Sequence, residues 1–194
     1  MKKTIYLMRH GRTLFNILKI VQGYGSDSPL TIKAKNKGRK ISKYINDKNI
    51  KFDNVYASDT LRATKTAKIV TKNKYEIHKV RDLRELKFGT LEKTHQHLSF
   101  EKIFDTKGSF DDFNGETPKQ GAERIHDCLV SLIEKDYNNQ ILCVSSCCVM
   151  LGFLKYYANS YYQKIRKINR FLNYTTIILE YENGKFSVKN IIEF

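Results

Sequence analysis

The stretch "TIYLMRHGRTLFN", residues Thr4–Asn16, decides how this chain is read. Thr4–Met8 is a short apolar run of strand character, and it stops abruptly at Arg9, His10, Gly11, Arg12 and Thr13. A strand that ends in cations, a histidine and a glycine presents chemistry at its carboxyl end. In open α/β sheets that end is where ligands bind. What the other strand ends carry therefore decides the reading.

Working outward, "NILKIVQGYGSDSPLT" places Gly23, Gly25, Asp27 and Pro29 in a loop, with Thr31 as the N-cap of an amphipathic helix over Lys33–Asp47. "FDNVYAS" reads as a second strand. Ser58 or Asp59 then caps a helix running to about Thr71, and "YEIHKV" is a third, short strand. Residues 83–117 are less regular, with glycines at 89, 108 and 115, and read as an insertion or lid, about 87–120, over one end of the sheet. A long helix over about Lys119–Asp136 precedes the buried strand "QILCVS". A helix from about Cys147 to Ala158 follows, then two strands, "YTTIILEYE" and "KFSVKNIIEF", joined at Asn183–Gly184, a strong hairpin signal. Strands alternating with helices imply an α/β fold in three layers, with a mostly parallel central sheet and a C-terminal antiparallel hairpin. Without repeats or a linker, residues 1–194 are expected to form a single domain.

Composition narrows the function. No apolar run reaches the roughly 20 residues of a membrane span, and the apolar part of "MKKTIYLMRHGR" is too short for a secretory signal, so a cytoplasmic location and no membrane partner are expected. Cys128, Cys143, Cys147 and Cys148 follow no metal-ligand spacing and read as free thiols; neither a metal nor a cofactor is expected. The net charge of +15 suits anionic ligands. Its lysines are spread over almost every exposed segment without an aromatic-studded basic stripe, so a solvated basic surface, rather than nucleic acid as partner, is the reading. No feature speaks to oligomeric state.

The strand ends agree with one another. After the first come Arg9, His10 and Asn16; after the second, Ser58, Asp59 and Arg62; after the third, Arg81, Asp82, Arg84 and Glu85; after "QILCVS", Ser146 and Cys147. Arginines bind phosphate oxygens through a planar, permanently charged fork. A histidine among arginines is kept neutral, with a ring nitrogen free to attack phosphorus, and a carboxylate can pass a proton to and from the oxygens involved.

These residues lie in motifs. "LMRHGRTLFN", "VQGYGSDSPLTIKAKNKG", "VYASDTLRATKTA", "LRELKFGTLE" and "NGETP" come in that order. Together they resemble the histidine phosphatase superfamily, whose fold is phosphoglycerate mutase-like. The chain's length resembles that of the small phosphatase branch. The resemblance implies His10 as a nucleophile that becomes phosphohistidine and Glu85 as acid/base. It implies Arg9, Arg62 and Asn16 as phosphate ligands, Gln22 and Gly23 at the substrate entrance, and a small phosphorylated substrate. It also implies metal-independent phosphomonoester hydrolysis, or phosphoryl transfer as in a mutase.

One motif departs. Where the family ends a strand with V-S-H-G-G, "VSSCC" puts Ser146 in place of the second histidine and cysteines in place of the glycines. Losing one preorganised donor costs about 10²–10³ in rate, so reduced activity is expected. Ser146 reads either as a helix N-cap or as a phosphate contact, and Glu85 either as acid/base or as an ion-pair partner of Arg84 or Arg81. His95 or His97, on the expected lid, could stand in for the lost histidine. The alternative function is a regulatory pseudophosphatase that retains the arginine pocket without efficient turnover.

Overall fold

The computed structural model describes residues 2–95, 110–135, 137–168 and 170–194, with the side chain of residue 111 left aside. Its sheet has six strands: β1 (Lys3–Arg9), β2 (Asn54–Ala57), β3 (Ile77–Lys79), β4 (Gln140–Ser145), β5 (Thr176–Glu182) and β6 (Lys185–Ile192). They lie in the order β3-β2-β4-β1-β5-β6. The pairs β1–β4, β2–β4 and β2–β3 are parallel, while β1–β5 and β5–β6 are antiparallel. Asn183 and Gly184 turn the final hairpin with φ of 51° and 74°, the positive values that an Asn-Gly pair accepts most readily.

Among the described residues the helices are α1 (Leu14–Leu18), α2 (Ile32–Asp47), α3 (Leu61–Val70), α4 (Pro118–Ile133), α5 (Cys147–Tyr157) and α6 (Asn159–Ile168). Alternation along the central strands supplies both faces of the sheet. Ile5, Leu7, Ile141 and Cys143 join Leu129, Ile133 and Phe153 in one core; Met8, Val55, Leu142 and Val144 join Ala34, Ile41, Ala63 and Ala67 in the other. The expected three layers are therefore present.

Late in sequence, β4 inserts between β1 and β2. Its register sets Ser145 opposite Arg9 and Val144 opposite Ala57, so three carboxyl ends finish side by side. That is the switch point of the sheet, where successive connections diverge.

Several expectations are corrected. The segment after Gly11 is not all loop: Thr13 and Asn16 form a capping box that winds α1 although none of that helix's residues is buried. Helix α3 begins after Thr60, not Ser58 or Asp59, and no side chain of its own caps it. Instead the Asp27 carboxylate accepts from Leu61 N–H, a cap supplied from another loop. Helix α4 stops at Ile133 rather than running to residue 136, and α6 was not expected. Within the expected lid, residues 96–109 lie outside those described; Gly89–Leu91 and Phe110–Phe113 form 3₁₀ turns.

The end of α4 is tied to the sheet by Asn138, which is fully buried. Its Nδ2 donates to Tyr56 Oη at 2.9 Å and Leu132 O at 2.6 Å, and its Oδ1 accepts from Asn54 Nδ2 at 2.7 Å. Asn138→Ala leaves these buried groups unpaired and should lower stability by about 1–3 kcal/mol in urea denaturation. Breaking the exposed Lys43–Asp47 pair with Lys43→Ala should leave the midpoint in place.

Candidate active site

His10 follows β1 directly, and its backbone is clamped from both sides. Its N–H donates to Ser145 O at 3.0 Å, and its carbonyl accepts from Asn173 Nδ2 at 3.0 Å. The ring is almost wholly buried. Nδ1 lies 2.8 Å from Gly11 O, an atom that can only accept. Nδ1 therefore carries the proton, and Nε2 holds a lone pair. Burial above all, and then the charges of Arg62 and Arg9, hold the imidazole pKa well below its ordinary value.

Gly11 permits this placement because of Tyr174. A Cβ at residue 11 would come 2.5 Å from Tyr174 Oη, and one at Gly38 on α2 would come 2.8 Å from the same atom. Tyr174 is fully buried, holds φ at 70°, and donates its hydroxyl to Ala34 O at 2.8 Å. Gly11 N–H is fixed by Thr66 Oγ1 at 2.9 Å.

Arg62 is fully buried. Nη1 donates to Ser26 O at 2.7 Å and to Asp27 Oδ1 at 3.1 Å, and Nη2 donates to Gly23 O at 3.0 Å. Gly23, expected with Gln22 at the substrate entrance, thus accepts from Arg62. Gln22 accepts from Thr13 Oγ1 at 2.8 Å and donates to Ser28 Oγ at 3.2 Å. Asn16 uses its Oδ1 for Thr13 N–H at 3.1 Å, within the capping box of α1. Arg9 donates through Nη1 to Phe171 O.

Glu85 is buried in the loop after β3. Its Oε1 accepts from Leu86 N at 2.9 Å and Val149 N at 2.8 Å, and its Oε2 from Cys148 N at 3.0 Å. The alternative of an ion pair with Arg84 is set aside, because Arg84 grips Asp59 at 2.5 and 2.7 Å. That pairing holds the Asp59 carboxyl below its ordinary pKa. Arg81 turns to the ring of Tyr24, 5.6 Å from its centroid. Arg124 holds the loop, donating to the carbonyls of Asp82 at 2.6 Å, Arg84 at 3.3 Å and Glu85 at 3.3 Å while pairing with Glu116.

Ser146 occupies the N-cap position of α5 but makes no capping bond. The N–H groups of Cys148 and Val149, which an N-cap side chain would take, already belong to Glu85. Ser146 Oγ is buried with no partner among the described residues, as are Arg9 Nε and Arg62 Nε. Thr175 Oγ1, just before β5, is a fourth such group, and buried hydrogen-bonding capacity left open is costly unless something else takes it up. No other histidine joins them: His78 lies against Tyr56, His126 stacks on Tyr157 and His95 is exposed, while His97 lies outside the described residues. Among the described residues no cluster of three metal-ligating side chains occurs, and no helix is long and apolar enough to cross a membrane.

Sequence reasoning missed Asn173 and Tyr174, which no local pattern marks, and the clamping role of Arg124. Glu116 and Thr66 lie within the "NGETP" and "VYASDTLRATKTA" motifs, but nothing local marks the bonds they make to Arg124 and to Gly11 N–H.

The chain is 30% identical over 150 residues to the probable phosphoglycerate mutase GpmB of Salmonella arizonae, 73% of this chain and 68% of the relative. It is 30% identical over 129 residues to the fructose-2,6-bisphosphatase TIGAR of Xenopus tropicalis, 62% of this chain but only 46% of that protein's length. In fold it superimposes on a phosphoserine phosphatase from Entamoeba histolytica, solved with 3-phosphoglyceric acid, with a TM-score of 0.79, 21% identity, and 98% and 97% of the two chains covered. A sequence model of the histidine phosphatase superfamily (branch 1) matches residues 5–193, and the chain belongs to that family.

Proposed function

We propose that this chain is a metal-independent phosphomonoester hydrolase acting through a phosphohistidine at His10 on a small phosphorylated substrate. The observation that carries this reading is that Arg9 Nε, Arg62 Nε and Ser146 Oγ are among four buried polar atoms, Thr175 Oγ1 being the other, that lack a partner among the described residues, and that His10 is held neutral by burial and by the charges of Arg62 and Arg9. Such a set fits the oxygens of a phosphoryl group, and two arginines supply the fixed positive charge a metal would otherwise bring.

In the first step the His10 Nε2 lone pair attacks phosphorus. The N–P bond forms as the ester P–O bond breaks, and Glu85 gives its proton to the departing oxygen. The ring becomes cationic as it is phosphorylated, and the Gly11 carbonyl, already accepting from Nδ1, supports that charge. In the second step water attacks phosphorus, Glu85 takes its proton, and orthophosphate leaves with the imidazole restored. Arg9 and Arg62 hold the phosphoryl oxygens throughout, and Asn16 adds a donor through its amide. Ser146 offers a shorter, neutral donor where the family has a histidine, so turnover is slow. The segment 87–120 acts as the lid that selects the substrate.

The test is hydrolysis of an aryl phosphate. Wild type should turn it over slowly, His10→Ala should abolish turnover and the trapped phosphoenzyme, and Ser146→His should raise kcat by about 10–10²-fold. Unchanged activity in His10→Ala would sink the mechanism. No activity in either wild type or Ser146→His would sink the enzyme reading.

A second expectation concerns pH. The buried His10 stays neutral below its ordinary 6.5, whereas the unfolded chain takes up a proton there. The unfolded state then binds more protons, so stability falls as pH drops below 6.5, by up to about 1.4 kcal/mol per pH unit from this group. Urea denaturation across that range should show a shallower acid slope for His10→Gln than for wild type.

A further inference from the structure

The chain enters β5 through a bulge. Tyr174 N–H donates to Arg9 O at 3.1 Å, while Thr175 O accepts from Arg9 N–H at 2.9 Å, so two residues of this segment face one of β1. Tyr174, with φ at 70°, takes the left-handed position that such a bulge usually gives to glycine. Arg9 Nη1 donates to Phe171 O. The segment Phe171–Thr175 therefore holds Arg9 by both backbone groups and by its side chain. Bulges beside ligand sites re-aim a side chain, and here that side chain belongs to the half-buried Asn173.

The two hydrogens of Asn173 Nδ2 have two acceptors, His10 O at 3.0 Å and, in a longer contact, Asn16 Oδ1 at 3.4 Å. Neither amide can be turned round. His10 O only accepts, so the nitrogen of Asn173 must face it. Thr13 N–H only donates, so the atom of Asn16 that lies 3.1 Å from it must be the oxygen. With Oδ1 taken by Thr13 and Asn173, Asn16 has its Nδ2 left to offer a ligand.

We propose that Asn173 is a positioning residue for phosphoryl transfer, whose one amide group fixes the backbone of His10 and, through Asn16, the donor offered to the phosphoryl oxygens. This role rests on the phosphoryl site proposed above and adds to it a residue that touches no phosphate itself, because both hydrogens of its nitrogen are taken. Nucleophile and ligand are thereby tied to a single group, and neither shifts without the other. A misplacement of about 1 Å at a reacting group costs about 10²-fold in rate, so loss of the amide is felt in turnover.

The experiment measures aryl phosphate hydrolysis, and orthophosphate binding by calorimetry, for wild type, Asn173→Ala, Asn16→Ala and the double variant. Asn173→Ala should lower kcat about 10–10²-fold and weaken orthophosphate about 3–10-fold. In the Asn16→Ala background the same substitution should leave orthophosphate affinity unchanged, since the donor it orients is gone, while kcat still falls through His10. A residue that only stabilises the fold would weaken binding equally in both backgrounds. That result, or unchanged kcat and affinity in Asn173→Ala, overturns the proposal. One arm needs no variant: in wild type the side-chain amide protons of Asn173 should exchange with solvent far more slowly, by NMR, than those of the exposed Asn46. Equal exchange rates overturn the paired contact. Wild type that neither binds orthophosphate nor hydrolyses the ester overturns the phosphoryl site and this role with it, whereas a failure confined to the Asn173 comparisons overturns the role alone.

Discussion

A guanidinium buried without any exposure is the constraint on which the rest of this site depends. Arg62 cannot lose its charge, and an uncompensated ion in the interior would cost several kcal/mol. Its compensation comes from one short loop: the carbonyls of Gly23 and Ser26 and the carboxylate of Asp27. Because that loop must hold its shape for Arg62, its other atoms can serve as fixed points. Asp27 caps α3, Gln22 braces Thr13 at the head of α1, and Tyr24 N–H donates to Leu86 O beside Glu85. Rigidity thus spreads from one charge to three elements around His10.

What the sequence made legible follows from where information is local. Short continuous apolar runs identified β1 and β4, Thr31 marked the start of α2, and Asn-Gly marked the last hairpin. Arg9, His10 and Arg62 were readable because each follows a strand within a few residues. Helix α1 was not, since it buries nothing, and α6 buries only Tyr162 and Ile165 in a run rich in polar residues. The caps of α3 and α5 were misjudged for one reason. In both helices the oxygen that meets the first N–H groups comes from a distant loop, Asp27 in one and Glu85 in the other.

That exchange of caps bears on the broken motif. With Glu85 seated on the first turn of α5, the hydroxyl of Ser146 is released from the role its position suggests. The serine that reads as a helix start is, in three dimensions, a buried donor facing no protein acceptor among the described residues. The free hydroxyl of Ser146 and the seating of Glu85 on α5 are therefore one linked arrangement.

The phenol of Tyr174 gives the molecule a piston. It fills the space that side chains at Gly11 and Gly38 would need, so bulk added on α2 is transmitted to the backbone beside His10. Replacing a mid-helix glycine by alanine ordinarily gains about 0.5–1 kcal/mol, which makes Gly38 an obvious target for anyone hardening this protein against heat. Here the new methyl would meet Ile69 and the Tyr174 hydroxyl, both at 2.8 Å, and the gain in helix would be spent on displacing the imidazole. Thermostabilising libraries for this chain should therefore leave residue 38 alone and look to helix surfaces remote from Tyr174.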